Sequence, residues 1–184
     1  MMMSLIAGVN GLIGSLLMTV KPMLELCDRF QRRQDDLERW SERIGTRYYD
    51  IVVTVKHMLF EAKRVRDVDL DPLYQVNVLL HIFNQQAMET LNTNCPSDIH
   101  VADVRKKFGN SAAECILKMN DLFFELDKEG KEVDRCQMVC SGNVISLCRA
   151  ILRQWDALVA IMARKRFMRS KMLAQEFHEK AEGL

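Results

Sequence analysis

Apolar residues recur along this chain at intervals of three and four, the spacing of a helix face, and alternating runs of the strand type are scarce. From Ser4 onward Leu5, Ile6, Val9, Leu12, Ile13, Leu16, Leu17 and Val20 form one aliphatic face, while Gly8, Gly11, Gly14, Ser4, Ala7 and Ser15 fill the rest. Pro22 either kinks this helix or opens the next one at its first position. Met23, Leu24, Leu26, Cys27 and Phe30 continue the stripe, which lapses over Gln31–Asp36 into a solvated helix face or a short hinge. Periodicity returns with Leu37, Trp40, Ile44, Tyr48, Ile51, Val55 and Leu59, a narrow seam on a long helix.

Asp71-Pro72 reads as a helix start, an N-cap carboxylate followed by an N1 proline, with a core face of Leu73, Val76, Leu80, Phe83, Ala87 and Leu91. Asn92–Pro96 breaks that helix. Ser97 is expected to cap a short helix to Phe108, closed by Gly109. Ser111-Ala-Ala-Glu114 has the form of a capping box, so a further helix is expected from there, burying Cys115, Ile116, Met119, Leu122, Phe123 and Leu126. Gly130 is expected to interrupt it, with helix resuming over Val133–Cys140. Ser141-Gly142-Asn143 reads as a turn, and the last helix, residues 144–184, places Ile145, Cys148, Leu152, Trp155, Val159 and Met162 inward. The expected fold is all-α, a single helical bundle of about five to six helices over residues 1–184. Its core joins Trp40, Ile44, Tyr48, Ile51 and Val55 to Leu73, Leu80 and Phe83 and to Ile116, Met119 and Phe123.

Residues 1–20 carry no ionisable side chain. Three glycines in an exposed helix would each cost roughly 0.8–1 kcal/mol relative to alanine, so their smallness must gain something. Ala7, Gly11 and Ser15 have the small-xxx-small spacing that lets helices approach closely, in lipid or in a protein interior. The stretch is therefore either a central core helix or a helix able to exchange a protein partner for a bilayer. Met1–Ser4 lacks the Lys or Arg of a signal-peptide n-region, so cleavage is not expected. As a spanning anchor it is marginal, because about 20 apolar residues are reached only by counting Asn10, Thr19 and the glycines. Interfacial or reversible insertion fits better, with recruitment left to another part of the chain.

The length suffices for a proper core without staples. With 26 basic against 25 acidic residues, no global charge draws the chain to nucleic acid, which is not an expected partner. Seven basic and seven acidic residues interspersed over Lys21–Asp50 read as a solvated helix surface with i,i+4 pairs. The six cysteines sit mostly at apolar helical positions and are expected as free buried thiols in a reducing compartment. Charge separates late: Glu114–Asp134 holds seven acidic residues against three basic, and Arg149–Lys171 seven basic against one acidic. Those stretches could face each other. The cluster Arg164, Lys165, Arg166, Arg169 and Lys171, interleaved with Phe167, Met168 and Met172, instead has the composition that settles on anionic membrane surfaces or takes an acidic partner.

No catalytic constellation stands out. His57, His81, His100 and His178 are scattered and are expected at the surface or rim. Cys136 and Cys140 share a helical spacing but lack the further ligands of a zinc site. Gly8, Gly11 and Gly14 lie inside a helix pattern and lack a P-loop lysine. A non-enzyme without cofactor or metal is expected.

The run Ser4-Leu-Ile-Ala-Gly-Val-Asn-Gly-Leu-Ile-Gly-Ser-Leu-Leu17 resembles the opening of HeLo and HeLo-like domains, helical bundles at the N-termini of fungal incompatibility and NLR-type proteins. These are similar in architecture to the N-terminal bundle of mixed-lineage kinase-like proteins. The likeness extends through Leu24, Leu37 and Ile44 and into Ala113–Leu122, about a quarter of the chain. It implies a bundle whose first helix is released to permeabilise membranes in regulated cell death. An amyloid-like tail and an attached kinase or NTPase domain are not seen, and the basic last helix has no counterpart in the family pattern. On this reading Leu5, Ile6, Val9, Leu12, Ile13, Leu16 and Leu17 insert into the membrane, Gly8, Gly11 and Gly14 pack helices, and the basic cluster recruits anionic lipid. The protein is expected in the cytoplasm with recruitment to the plasma membrane, and as a homo-oligomer. The other reading is a soluble adaptor bundle that docks partner proteins.

Overall fold

A computed structural model describes residues 2–67, 77–78, 81–83, 87, 89–90, 99–134 and 141–182; the side chains of 2–24, 26, 30, 67, 132–134, 141, 173, 176–178 and 180–182 are outside the description. The described chain is all-α, without a strand among its residues. Four helices have defined bounds: α1 (Met2–Asp67), α2 (Val101–Phe108), α3 (Asn110–Asp134) and α4 (Ser141–Glu182). Most of the helix expected to follow Asp71-Pro72, with its breaker Asn92–Pro96, lies outside the described residues, as do residues 135–140 and Ser97, the expected cap of the short helix to Phe108; that helix, α2, has His100 as its N-cap instead.

The chain divides into two compact units, Met1–Trp40 with Arg166–Leu184 and Ser41–Lys165. In the second unit, Ile44, Tyr48, Ile51, Val55, Met58, Ala62 and Val65 run down α1 at steps of three and four, and each is almost completely buried. Tyr48 joins three helices: its ring lies 6.5 Å from that of Phe123 on α3 and 5.9 Å from that of Trp155 on α4. Such pairs are worth about 0.5–1.5 kcal/mol beyond the area they bury. Phe83 and Ile82 are also buried, as are Ile116, Met119, Phe123 and Leu126 of α3. Leu73 and Leu80 of the expected core lie outside the described residues. In the first unit, Leu37 is buried and Trp40 half-buried.

The breakers expected in the sequence act less often than their identity suggests. Helix α1 passes through Pro22 and through Gln31–Asp36 without interruption. Gln31, Arg32 and Arg33 are exposed and Gln34, Asp35 and Asp36 half-buried, so this stretch is continuous helix of which only the first half is a solvated face. Helix α3 continues past Gly130, which is buried, to Asp134. Ser141-Gly142-Asn143 is the first turn of α4, so that helix begins earlier than residue 144. Ile145, Cys148 and Met162 of its expected seam are buried, but at two positions the seam shifts by one residue: Ile151 and Leu158 are fully buried, whereas Leu152 is half-buried and Val159 is 40% exposed.

Gly109 closes α2 as expected and also opens α3, a role expected of Ser111. Helix α2 starts after His100, whose extended backbone places its carbonyl to accept the Asp103 and Val104 amides at 2.9 and 3.2 Å. Asp103 in the first turn and Arg105, Lys106 and Lys107 in the last complement the helix dipole. Gly109 then closes α2, donating its N–H to the Arg105 carbonyl at 2.9 Å. Its own carbonyl accepts the Ala113 amide at 3.3 Å and so opens α3. The capping box at Ser111 and Glu114 is therefore corrected: both residues lie within a helix that has already begun at Asn110.

Candidate functional site

The expected membrane-inserting residues Leu5, Ile6, Val9, Leu12, Ile13, Leu16 and Leu17, and the glycines 8, 11 and 14, belong to the helical backbone of α1, and their side chains lie outside the described residues. The basic cluster of α4 is described, and its members do not share one environment. Arg164 and Lys165, the last residues of their unit, are exposed. In the other unit Lys171 is exposed, while Arg166 and Arg169 are half-buried. Arg166 is committed to a contact within that unit, its Nη2 donating to Glu38 Oε1 of α1 at 2.8 Å. The five charges are neighbours in sequence, but about 100° of rotation per residue distributes them around the helix.

Apolar side chains share the outer face with Lys171. Phe167 is 68% exposed, Met168 47% and Met172 59%. Phe167 and Lys171 are one turn apart, as are Met168 and Met172, so helical spacing groups them on adjacent rows. Ser170 Oγ donates to the Arg166 carbonyl at 3.2 Å, and Gln175 Nε2 to Glu179 Oε1 at 3.0 Å, both exposed contacts within α4. An exposed phenyl ring and two thioethers beside an ammonium suit a surface with an anionic layer over an apolar one.

A second polar feature lies in the unit Ser41–Lys165, where His57, Glu61 and Arg64 of α1 line a pocket of about 290 Å³ with Asn77, Val78 and His81. Glu61 accepts from Arg64 Nη1 at 3.4 Å. The i, i+4, i+7 spacing of the three α1 residues was visible in the sequence, but nothing there pairs them with a segment about 20 residues later. His57, His81 and His100 are exposed. Among the described residues no group of three His, Cys, Asp or Glu side chains is placed to hold a metal ion.

Three cysteines are described as free thiols, Cys27 half-buried and Cys115 and Cys148 buried. Burial raises the Cys115 thiol, against the lowering influence of Lys118 and with a further rise from Glu114. Burial pushes Cys148 up to about 12, partly opposed by a backbone hydrogen bond, so it remains a protonated, unreactive core residue near neutrality. Among the described residues no helix is long and apolar enough to cross a membrane. No family model matches this chain, and no curated protein or solved structure matches it either.

Proposed function

We propose that this protein is a membrane-targeting helical bundle of HeLo-like type, of five to six helices, that acts without catalysis in regulated cell-death or immune signalling. The last helix recruits it from the cytoplasm to anionic lipid at the plasma membrane, and Leu5 to Leu17 then permeabilise the bilayer, as an oligomer packed through Gly8, Gly11 and Gly14. The observation that carries this reading is the exposure of Phe167, Met168 and Met172 next to Lys171. Each Lys or Arg near an anionic leaflet contributes about 1 kcal/mol, and the apolar side chains add burial that salt does not screen.

The test is dye release from liposomes with and without anionic lipid. Leakage that depends on anionic lipid is expected. Leu12→Lys should abolish it while leaving sedimentation with liposomes largely intact, because a charge at the centre of an inserted helix costs about 2.5–3.5 kcal/mol. Arg164, Lys165 and Lys171 changed together to Glu should weaken sedimentation, with the difference shrinking as salt rises. A protein inert towards every liposome would displace this reading in favour of the adaptor. Tyr49, Val53 and Phe60, exposed by 65%, 47% and 65% along α1, would then be the first surface to probe for a partner protein.

A further inference from the structure

The pocket lined by His57, Glu61, Arg64, Asn77, Val78 and His81 lies apart from the residues on which the membrane reading rests. Its volume, about 290 Å³, equals that of about ten liquid waters and lies at the lower end of the range for small-ligand pockets. Among the described residues that line it are two full charges of opposite sign. The Glu61 side chain is only 15% exposed, whereas that of Arg64 is 59% exposed. Their 3.4 Å contact is longer than the 2.7–2.9 Å of a strong charge-assisted bond, and it employs one N–H of a guanidinium that carries five. The ring nitrogens of His57 and His81 and the amide of Asn77 add further polar groups.

This charge arrangement discriminates between ligand classes. A simple anion is attracted by Arg64 and repelled by Glu61 three residues away, and a simple cation meets the reverse. A molecule carrying an ammonium and an oxyanion a few ångströms apart is attracted by both. From this we infer that the pocket binds a small zwitterion, its ammonium against Glu61 and its phosphate or carboxylate against Arg64 and the two imidazoles. Soluble phosphoethanolamine and the headgroup of an ethanolamine phospholipid both offer that chemistry.

Titration of the full chain with phosphoethanolamine, followed by the ring signals of His57 and His81 in NMR spectra, tests the inference. Saturable shifts of both rings are expected, with ethylamine and inorganic phosphate each binding at least about tenfold more weakly, the scale of one lost charged hydrogen bond. Glu61→Gln should remove the preference over phosphate, and Arg64→Gln should lower the affinity for both. Val78→Phe, which narrows the pocket without changing its charge, should block binding while helix content stays at the parent value. Vesicles of phosphatidylethanolamine in phosphatidylcholine, compared with phosphatidylcholine alone, separate the sources: retention that Arg64→Gln abolishes assigns the lipid headgroup, and its absence assigns the soluble molecule. Phosphate binding as tightly as phosphoethanolamine, or no saturable shift with any probe, would overturn the inference.

Discussion

Two glycines in this chain predict opposite outcomes for the same substitution. Gly45 lies inside α1 and Gly109 joins α2 to α3; a Cβ added at either meets no atom within 4 Å, so neither replacement by alanine creates a clash. What differs is the backbone. Gly45 occupies a helix interior, where alanine is favoured by about 0.8–1 kcal/mol. Gly109 has φ +98° and ψ 177°, a region that side chains with a Cβ avoid, and forcing alanine there costs about 1–3 kcal/mol. For a chain of this size about 1 kcal/mol moves Tm by about 2–4 °C. Gly45→Ala should therefore raise Tm by about 2–4 °C and Gly109→Ala lower it by about 2–12 °C. Urea unfolding followed by the helical circular-dichroism band gives the same comparison as free energies. If Gly109→Ala proved as stable as the parent, the reasoning from backbone conformation would fail, since no packing change is available to compensate.

Core register, thiol burial and the Arg166 contact each give a further expectation. Leu158→Ala should cost about 2–5 kcal/mol in chemical denaturation and Val159→Ala under about 1 kcal/mol, because the first is fully buried and the second 40% exposed; equal costs would contradict the register of α4. Cys148 holds its proton to about 12 in the folded chain against an ordinary 9.0, so above pH 9 the unfolded state ionises first. The stability it lends is complete below about pH 9 and is lost towards about pH 12; Cys148→Ala should flatten that part of the stability–pH curve, and an unchanged slope would count against it. A double-mutant cycle on Arg166 and Glu38 should return less than about 1 kcal/mol, since both side chains are about half exposed, and a markedly larger coupling would show that the pair is shielded from solvent.

The parts of the fold that were legible are those where one spacing has one reading. Ile44, Tyr48, Ile51 and Val55 have polar or small neighbours at most adjacent positions, so their stripe identifies a buried face without help from the rest of the chain. On α4 the doublets Ile151-Leu152 and Leu158-Val159 offer two apolar stripes one residue apart, and helical periodicity admits both. Packing chose the stripe that runs from Cys148 through Ile151 and Leu158 to Met162. Local signals also misled where a stronger partner stood nearby: Ser111 and Glu114 have capping-box spacing, but the Gly109 carbonyl already serves the first turn. Gly130, which reads as a break, and Pro22, which reads as a kink or a helix start, both lie within continuous helix, and Gly142, which reads as part of a turn, lies in the first turn of α4. Of the candidate sites, the grouping of basic and apolar residues near the end of α4 was legible, but their division was not. Arg166 is paired, and its partner Glu38 lies 128 positions earlier in the chain, beyond the reach of any local pattern.

The junction at Gly109 also constrains length. Helices α2 and α3 pack against each other with a single residue between them, and that residue's amide and carbonyl are each spent on one of the two. One extra residue here would add about 100° of helical phase. The buried pair Val104 and Phe108 would then fall out of step with Ala112, Ala113 and Ile116, turning apolar surface to solvent on one helix or the other. Most connections between helices tolerate insertions because the chain there is exposed and has slack. This one has none, so homologous chains should vary in residue type around position 109 long before they vary in the number of residues, and an engineered tag or cleavage site placed there would unseat two helices at once.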